Sequence, residues 1–473
     1  IHKLLGYKHE LNEDTIKNIA QGGFQSHGTA QTYLKDVFSL PGGYNLILKN
    51  GEIELMEWYK LKKVAVPRSF KKQAIRLKEL ITSACLLRMR SDVPVATCLS
   101  GGLDSGAITA VIANYEPGKD ERFNNYTHKG FCASFPNSGI DESKDAIRLA
   151  NQLNSQIDVL TVKSPSADQL IEVMRQCDGP MHALAFYPIW SLYQYIRQKN
   201  IIVTLDGQGP DEMLGGYRPL RGAMDAAIEL KKPLWLRDVY KTYGNMGESE
   251  HFSSRQFARN ELNKLIKRGP SLFKQEIRNL AKKVLFYKPA GVKTFDNFEK
   301  LVPIRVPDQE TNSFNKKLFM QFFQEPLPGI LQQYDRCSMA NGVECRMPFM
   351  DYRIVEFVFS LPVESKVGNG YTKRILRESM KGVLPDETRL NKLKLGFNAP
   401  IVDWFRGALK PFMLEQMKSE AFLSSPYFDG KKLKTEFHEF INSDKPQWND
   451  AWKFWPPVHI VWWLNQIKNN SAE

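Results

Sequence analysis

Two glycines flanked by serines, with an aspartate close behind, make up the most chemically loaded segment of this chain: Thr97-Cys-Leu-Ser-Gly-Gly-Leu-Asp-Ser-Gly106. Gly101 and Gly102 let backbone N–H groups close on an anion, and Ser100 and Ser105 add hydroxyl donors. A helix starting just after the turn would add its positive N-terminal end. Asp104 would repel phosphate unless a cation lay between them, so it reads as a Mg²⁺ ligand. The loop has no lysine, so it is not the GxxxxGK[ST] phosphate loop. A tight turn with a capping serine is the plainer alternative. The apolar strand pattern in front of SGGLDS makes polyphosphate binding the better reading.

Three later segments carry further candidates. They are Asp206-Gly-Gln-Gly-Pro-Asp-Glu-Met-Leu-Gly-Gly-Tyr217, Asp335-Arg-Cys-Ser-Met-Ala-Asn-Gly-Val-Glu-Cys-Arg-Met-Pro-Phe-Met-Asp351, and Lys394-Leu-Gly-Phe397 with Trp404. Taken alone, Asp211-Glu212 is an exposed acidic pair capping a helix and Lys394 a surface lysine. Together with SGGLDS, the four ordered motifs resemble the asparagine synthase family, within the ATP-pyrophosphatase superfamily. They cover about 300 residues of the chain.

The resemblance implies an enzyme that adenylates a carboxylate with ATP and Mg²⁺ and passes the acyl group to ammonia. Aspartate is the implied acid, and AMP and pyrophosphate leave. By position, Ser100, Gly101, Gly102 and Ser105 would hold the leaving phosphates, and Asp104 and Asp211 the Mg²⁺. Leu99, Ala133, Asp206 and Gly207 match positions that contact AMP, and Lys394 matches the lysine that neutralises the α-phosphate. Gln208 departs from the family pattern, which has glutamate there. An amide keeps the hydrogen bonding but cannot act as a base. That departure keeps other carboxylates open, such as a sugar acid or a lactam- or peptide-closing substrate. A non-catalytic interaction protein on the same scaffold is a further alternative. Arg336, Glu344 and Arg346 are candidates for a buried ion network under the pocket.

The elements that must position these residues alternate. Strand patterns at 95–99, 130–135, 157–162 and 201–205 are interleaved with helix patterns from Leu103 and at 141–153, 167–177 and 184–197. This order predicts a parallel, doubly wound α/β sheet, with a largely helical part after Tyr217. An amphipathic helix with Ala74, Leu77, Ile81, Ala84 and Met89 on one face precedes the first strand. Residues 1–62 read as the β-rich end of a glutaminase-type domain and 63–473 as the synthetase domain. Within the first part, Asn50-Gly51 separates two strand patterns, a strong hairpin signal. The family's glutaminase needs an N-terminal Cys and this sequence starts at Ile1, so ammonia from glutamine is expected from a glutaminase domain absent or incomplete here.

Composition excludes some classes. At 473 residues and 42% apolar, the chain can build a large core. No apolar run reaches the roughly 20 residues of a membrane helix. The net charge of +13 owes much to cations between Arg255 and Lys288, spaced as solvated helix faces rather than as a nucleic-acid site. Cys85, Cys98, Cys132, Cys177, Cys337 and Cys345 form no CxxC pair, which fits a reduced, cytoplasmic compartment. The scattered histidines give no zinc spacing. Trp452, Trp455, Trp462 and Trp463 read as core. A homodimer is compatible with the resemblance.

Overall fold

The computed structural model describes residues 10–22, 28–115, 126–177, 179–181, 183–217, 220–244, 311–393 and 396–470. Lys394 and the basic run from Arg255 to Lys288 lie outside them. A helix α1 (Glu13–Ala20) is followed by a hairpin of β1 (Tyr44–Lys49) and β2 (Glu52–Glu57). Asn50 and Gly51 take φ of 53° and 82° in its turn, as a two-residue hairpin loop requires. The hairpin forms its own two-stranded sheet.

The long helix α2 (Phe70–Met89) buries Ala74, Leu77, Ile81 and Ala84, the face the spacing predicts. Then come β3 (Val95–Cys98), α3 (Leu103–Ala113), β4 (Tyr126–Ser134), α4 (Ser143–Gln152), β5 (Gln156–Thr161), α5 (Ala167–Gln176), α6 (Phe186–Gln198) and β6 (Val203–Leu205). The helical part holds α7 (Pro210–Leu214), α8 (Leu220–Glu229), α9 (Pro233–Gly244), α10 (Ser313–Phe323) and α11 (Leu327–Met339). A short strand β7 (Glu344–Arg346) precedes α12 (Tyr352–Ser360) and α13 (Arg374–Ser379).

The main sheet is parallel, in the order β5-β4-β3-β6-β7. Its central strands β3, β4 and β6 are largely buried on both faces because alternate side chains feed two cores. Phe131 and Ala133 of β4, with Ala96 of β3, join α5, α6 and the C-terminal helices. Cys132, Val95, Val203 and Leu205 point the other way, onto α2, α3, α4, α12 and α13. The chain runs outward from β3 to β5, then returns to place β6 on the other side of β3. That reversal is a topological switch point, where parallel α/β sheets bind ligands beyond the strand C-termini.

The sequence reading did not foresee β7. It is three residues long, carries Glu344 and Arg346, and occupies the sheet edge, where charge discourages further pairing. The proposed buried ion network is not what forms there. Glu344 is more than half exposed and pairs with Arg346 at 2.8 Å, while Arg336 donates to the Cys177 carbonyl. Trp455, Trp462 and Trp463 are core residues. No helix among the described residues is long and apolar enough to cross a membrane.

Candidate functional site

A cavity of about 440 Å³ opens at the switch point. Its floor is made by the turns that leave β3 and β6. The first is Ser100–Ser105. Gly101 has φ of 74°, and a Cβ there would lie 2.6 Å from the Ala146 amide nitrogen, so only glycine lets the turn sit against α4. The Ser100 N–H donates to Ser105 Oγ, and the two serine hydroxyls lie 3.1 Å apart. Gly102 caps α3 without a side-chain acceptor, so the first amides of the helix remain available to an anion.

The second turn is Asp206–Gly209. Asp206 is buried, which raises its pKa, and it accepts a 2.7 Å hydrogen bond from the Tyr193 hydroxyl. Its N–H donates to the Arg346 carbonyl, so the unforeseen β7 pins this turn. A Cβ on Gly207 would lie 2.8 Å from the Ser105 amide nitrogen. The two turns are therefore in backbone contact, which is how residues a hundred positions apart share one floor.

Asp104 and Asp211 face a single point. Lys373 Nζ lies 2.5 Å from Asp104 Oδ2 and 2.7 Å from Asp211 Oδ1, with all three side chains nearly buried. Lys373 adopts φ of 51°, the left-handed region, just ahead of α13. That conformation is costly for a lysine and persists where surroundings over-determine it. Two hard oxygen donors converging on one cationic position fit a divalent cation that keeps several waters. Glu212 is also buried rather than an exposed cap. Burial, then the neighbouring Asp211, pushes its pKa up to about 8.

The cavity is lined by each of Leu99, Ser100, Gly101, Gly102, Asp104, Ser105, Ala133, Asp206, Gly207, Gln208 and Asp211. Lys394 is outside the described residues, although its neighbours Leu393 and Gly396 line the cavity. Gln208 Oε1 has no hydrogen-bond partner, and Tyr334 lies against the Gln208 side chain. Sequence reasoning missed Lys373, Arg377 and Tyr334. The one cue to Lys373 was a lysine at a helix start, where the dipole disfavours a cation. Trp452, assigned to the core, is only partly buried and lines the cavity.

Comparison with known proteins adds family context to this geometry. The family profile described as Asparagine synthase matches residues 76–465. "Asparagine synthetase [glutamine-hydrolyzing] 1" of Bacillus subtilis is 25% identical over 405 residues, covering 82% of this chain and 60% of that protein. "Amidase chyE" of Penicillium rubens is 25% identical over 456 residues, covering 88% of this chain and 66% of that protein. The chain thus spans less than two thirds of either relative. A solved NH3-dependent NAD synthetase from Campylobacter jejuni aligns with 16% identity and a TM-score of 0.21, covering 47% of this chain and 99% of that one.

Proposed function

Since the chain belongs to the asparagine synthase family, we propose that it amidates a carboxylate at the expense of ATP, through an acyl-adenylate. The observation that carries this reading is the meeting of the Ser100–Ser105 turn, the Asp206–Gly209 turn and the Asp104–Lys373–Asp211 cluster around one cavity.

The Ser100–Ser105 amides and hydroxyls hold the β- and γ-phosphates. Leu99, Ala133, Asp206 and Gly207 place the AMP portion. An acid oxygen attacks the α-phosphorus, the bond to the β-phosphate oxygen breaks, and its electron pair leaves with pyrophosphate. Lys373 meets the negative charge that develops, and Lys394 is assigned the same task by family position alone. A Mg²⁺ held by Asp104 and Asp211 would add Lewis-acid stabilisation of the leaving pyrophosphate. In the second half, ammonia attacks the acyl carbon, the bond from that carbon to the phosphate oxygen breaks, and AMP leaves, its phosphate taking the proton that the nitrogen loses. Gln208 orients the amine or the acyl oxygen through its amide. It cannot take the proton.

Aspartate is the acceptor the family resemblance implies, and glutamine the implied source of ammonia. The Penicillium relative is named an amidase rather than an asparagine synthetase, which favours keeping other acids in view. Isotope exchange between pyrophosphate and ATP, dependent on an added acid and on Mg²⁺, tests the proposal. Acid-dependent exchange with AMP formation supports it. ATP cleavage to ADP and phosphate would contradict it.

A further inference from the structure

The cavity is divided by charge. Its phosphate end carries Asp104, Asp211, Glu212 and Lys373, between the turn after β3 and the start of α13. Leu99 and Ala133, at the ends of β3 and β4, lie toward the nucleotide. What remains for the acid is the wall formed by the entry to α6, by α6 itself, which packs against β4, and by α11. Its residues are Ala185, Ile189, Leu192, Ile330, Gln333 and Tyr334. None of these six bears a formal charge.

Resting on the adenylation reading above, we propose that the acceptor is a monocarboxylic acid whose remainder is uncharged and mainly apolar, aryl or branched alkyl, rather than aspartate. Activating the side-chain carboxylate of aspartate leaves an ammonium and a second carboxylate to bury. Buried charges require partners, and a carboxylate is best met by a guanidinium or ammonium. The cations that line the cavity among the described residues, Lys373, Arg377 and Lys392, come from α13 and the segments flanking it, not from this wall. Lys373 bridges two aspartates. Arg377 donates to the carbonyls of Thr372, Arg389 and Asn391. Lys392 Nζ lies 4.8 Å from the centre of the Tyr371 ring. Asp206, the charged group beside this wall, already accepts from Tyr193 and would repel a second carboxylate. The wall instead offers aliphatic side chains, with the Gln333 amide and Tyr334 phenol as neutral hydrogen-bonding groups. Those suit an apolar body bearing at most a neutral polar substituent.

The test is pyrophosphate–ATP exchange by the full chain with Mg²⁺, comparing hydrocinnamate, 4-methylvalerate, L-aspartate and D-glucuronate. The expected result is exchange with one of the first two exceeding both others by about tenfold or more, the preference conferred by burying about two methylene groups. Fastest exchange with aspartate or glucuronate would overturn the inference and leave the adenylation reading intact. No exchange with any of the four, while equilibrium dialysis shows Mg·ATP bound, would sink the adenylation reading and this inference with it. Ile330→Arg should cut exchange with the apolar acids by about tenfold or more at unchanged ATP affinity. Ile330→Ala, the gentler change, should raise KM for 4-methylvalerate and leave KM for ATP alone. If either folded variant lost ATP affinity instead, the wall would belong to the nucleotide and the assignment would fail.

Discussion

Replacing Lys373 with Met removes the ammonium that bridges two nearly buried carboxylates. The unbranched methionine approximates the lysine stem and meets the same left-handed backbone, so the change isolates the ammonium. At an effective dielectric near 20, each contact of 2.5–2.7 Å is worth roughly 6 kcal/mol of Coulomb energy. Desolvation of three charges offsets much of that sum. What is left after deleting one partner of a buried pair is typically about 3–5 kcal/mol of lost stability. The loss should appear as a lower urea midpoint in the presence of a chelator. Excess Mg²⁺ should restore a substantial part of it, since a dication can take up the same two carboxylates. Wild type should gain less from Mg²⁺, because its ammonium already satisfies them. A loss below about 1 kcal/mol, or one indifferent to Mg²⁺, would refute the reasoning that these carboxylates form a single cation site.

Gly207→Ala should lower Mg·ATP affinity about tenfold or more, measured by calorimetry, because its Cβ would press on the Ser105 amide and part the two turns. Unchanged affinity would mean the turns need not touch. Lys394→Ala should leave ATP binding intact but reduce pyrophosphate exchange by about 10²–10³; exchange near the wild-type rate would remove the lysine from adenylation. His459 is buried against the Phe186 and Trp455 rings, and burial pushes its pKa down to about 3. The folded state keeps it neutral, so its stability contribution is complete above the unfolded value near 6.5 and falls as pH drops toward 3. The cost is about 1.4 kcal/mol per pH unit, or about 2 kcal/mol between pH 6.5 and 5. His459→Phe should be less acid-sensitive by that amount in urea titrations at the two pH values, and equal slopes would contradict the assignment.

The parts of the fold that were legible in the sequence follow the strongest periodicities. The α2 face, the hairpin turn at Asn50-Gly51 and the alternation of apolar strands with amphipathic helices each have a local cause, and each appears with bounds shifted by a few residues. β7 was not legible because a three-residue strand with two charged ends gains its pairing only from β6. Likewise Glu344 and Arg346 look like a buried network in sequence and turn out to form a pair at the sheet edge whose carboxylate is more than half exposed. At the site, the glycines and aspartates of the two turns were readable because their chemistry needs special residue types at close spacing. Lys373 sits in an ordinary Thr-Lys-Arg context, and only the tertiary fold, which carries it between Asp104 and Asp211, gives it a role. The charge-free wall of α6 and α11 is likewise a property of packing, since its residues come from separate helices and look like core in either one.

Crystals soaked with ATP and Mn²⁺, with the metal located by its anomalous scattering, would test the central claim most directly. The account predicts manganese coordinated by Asp104 and Asp211, Lys373 turned toward the phosphates, and the triphosphate over the Ser100–Ser105 amides. Manganese and nucleotide bound outside this cavity, or manganese touching neither aspartate, would contradict it.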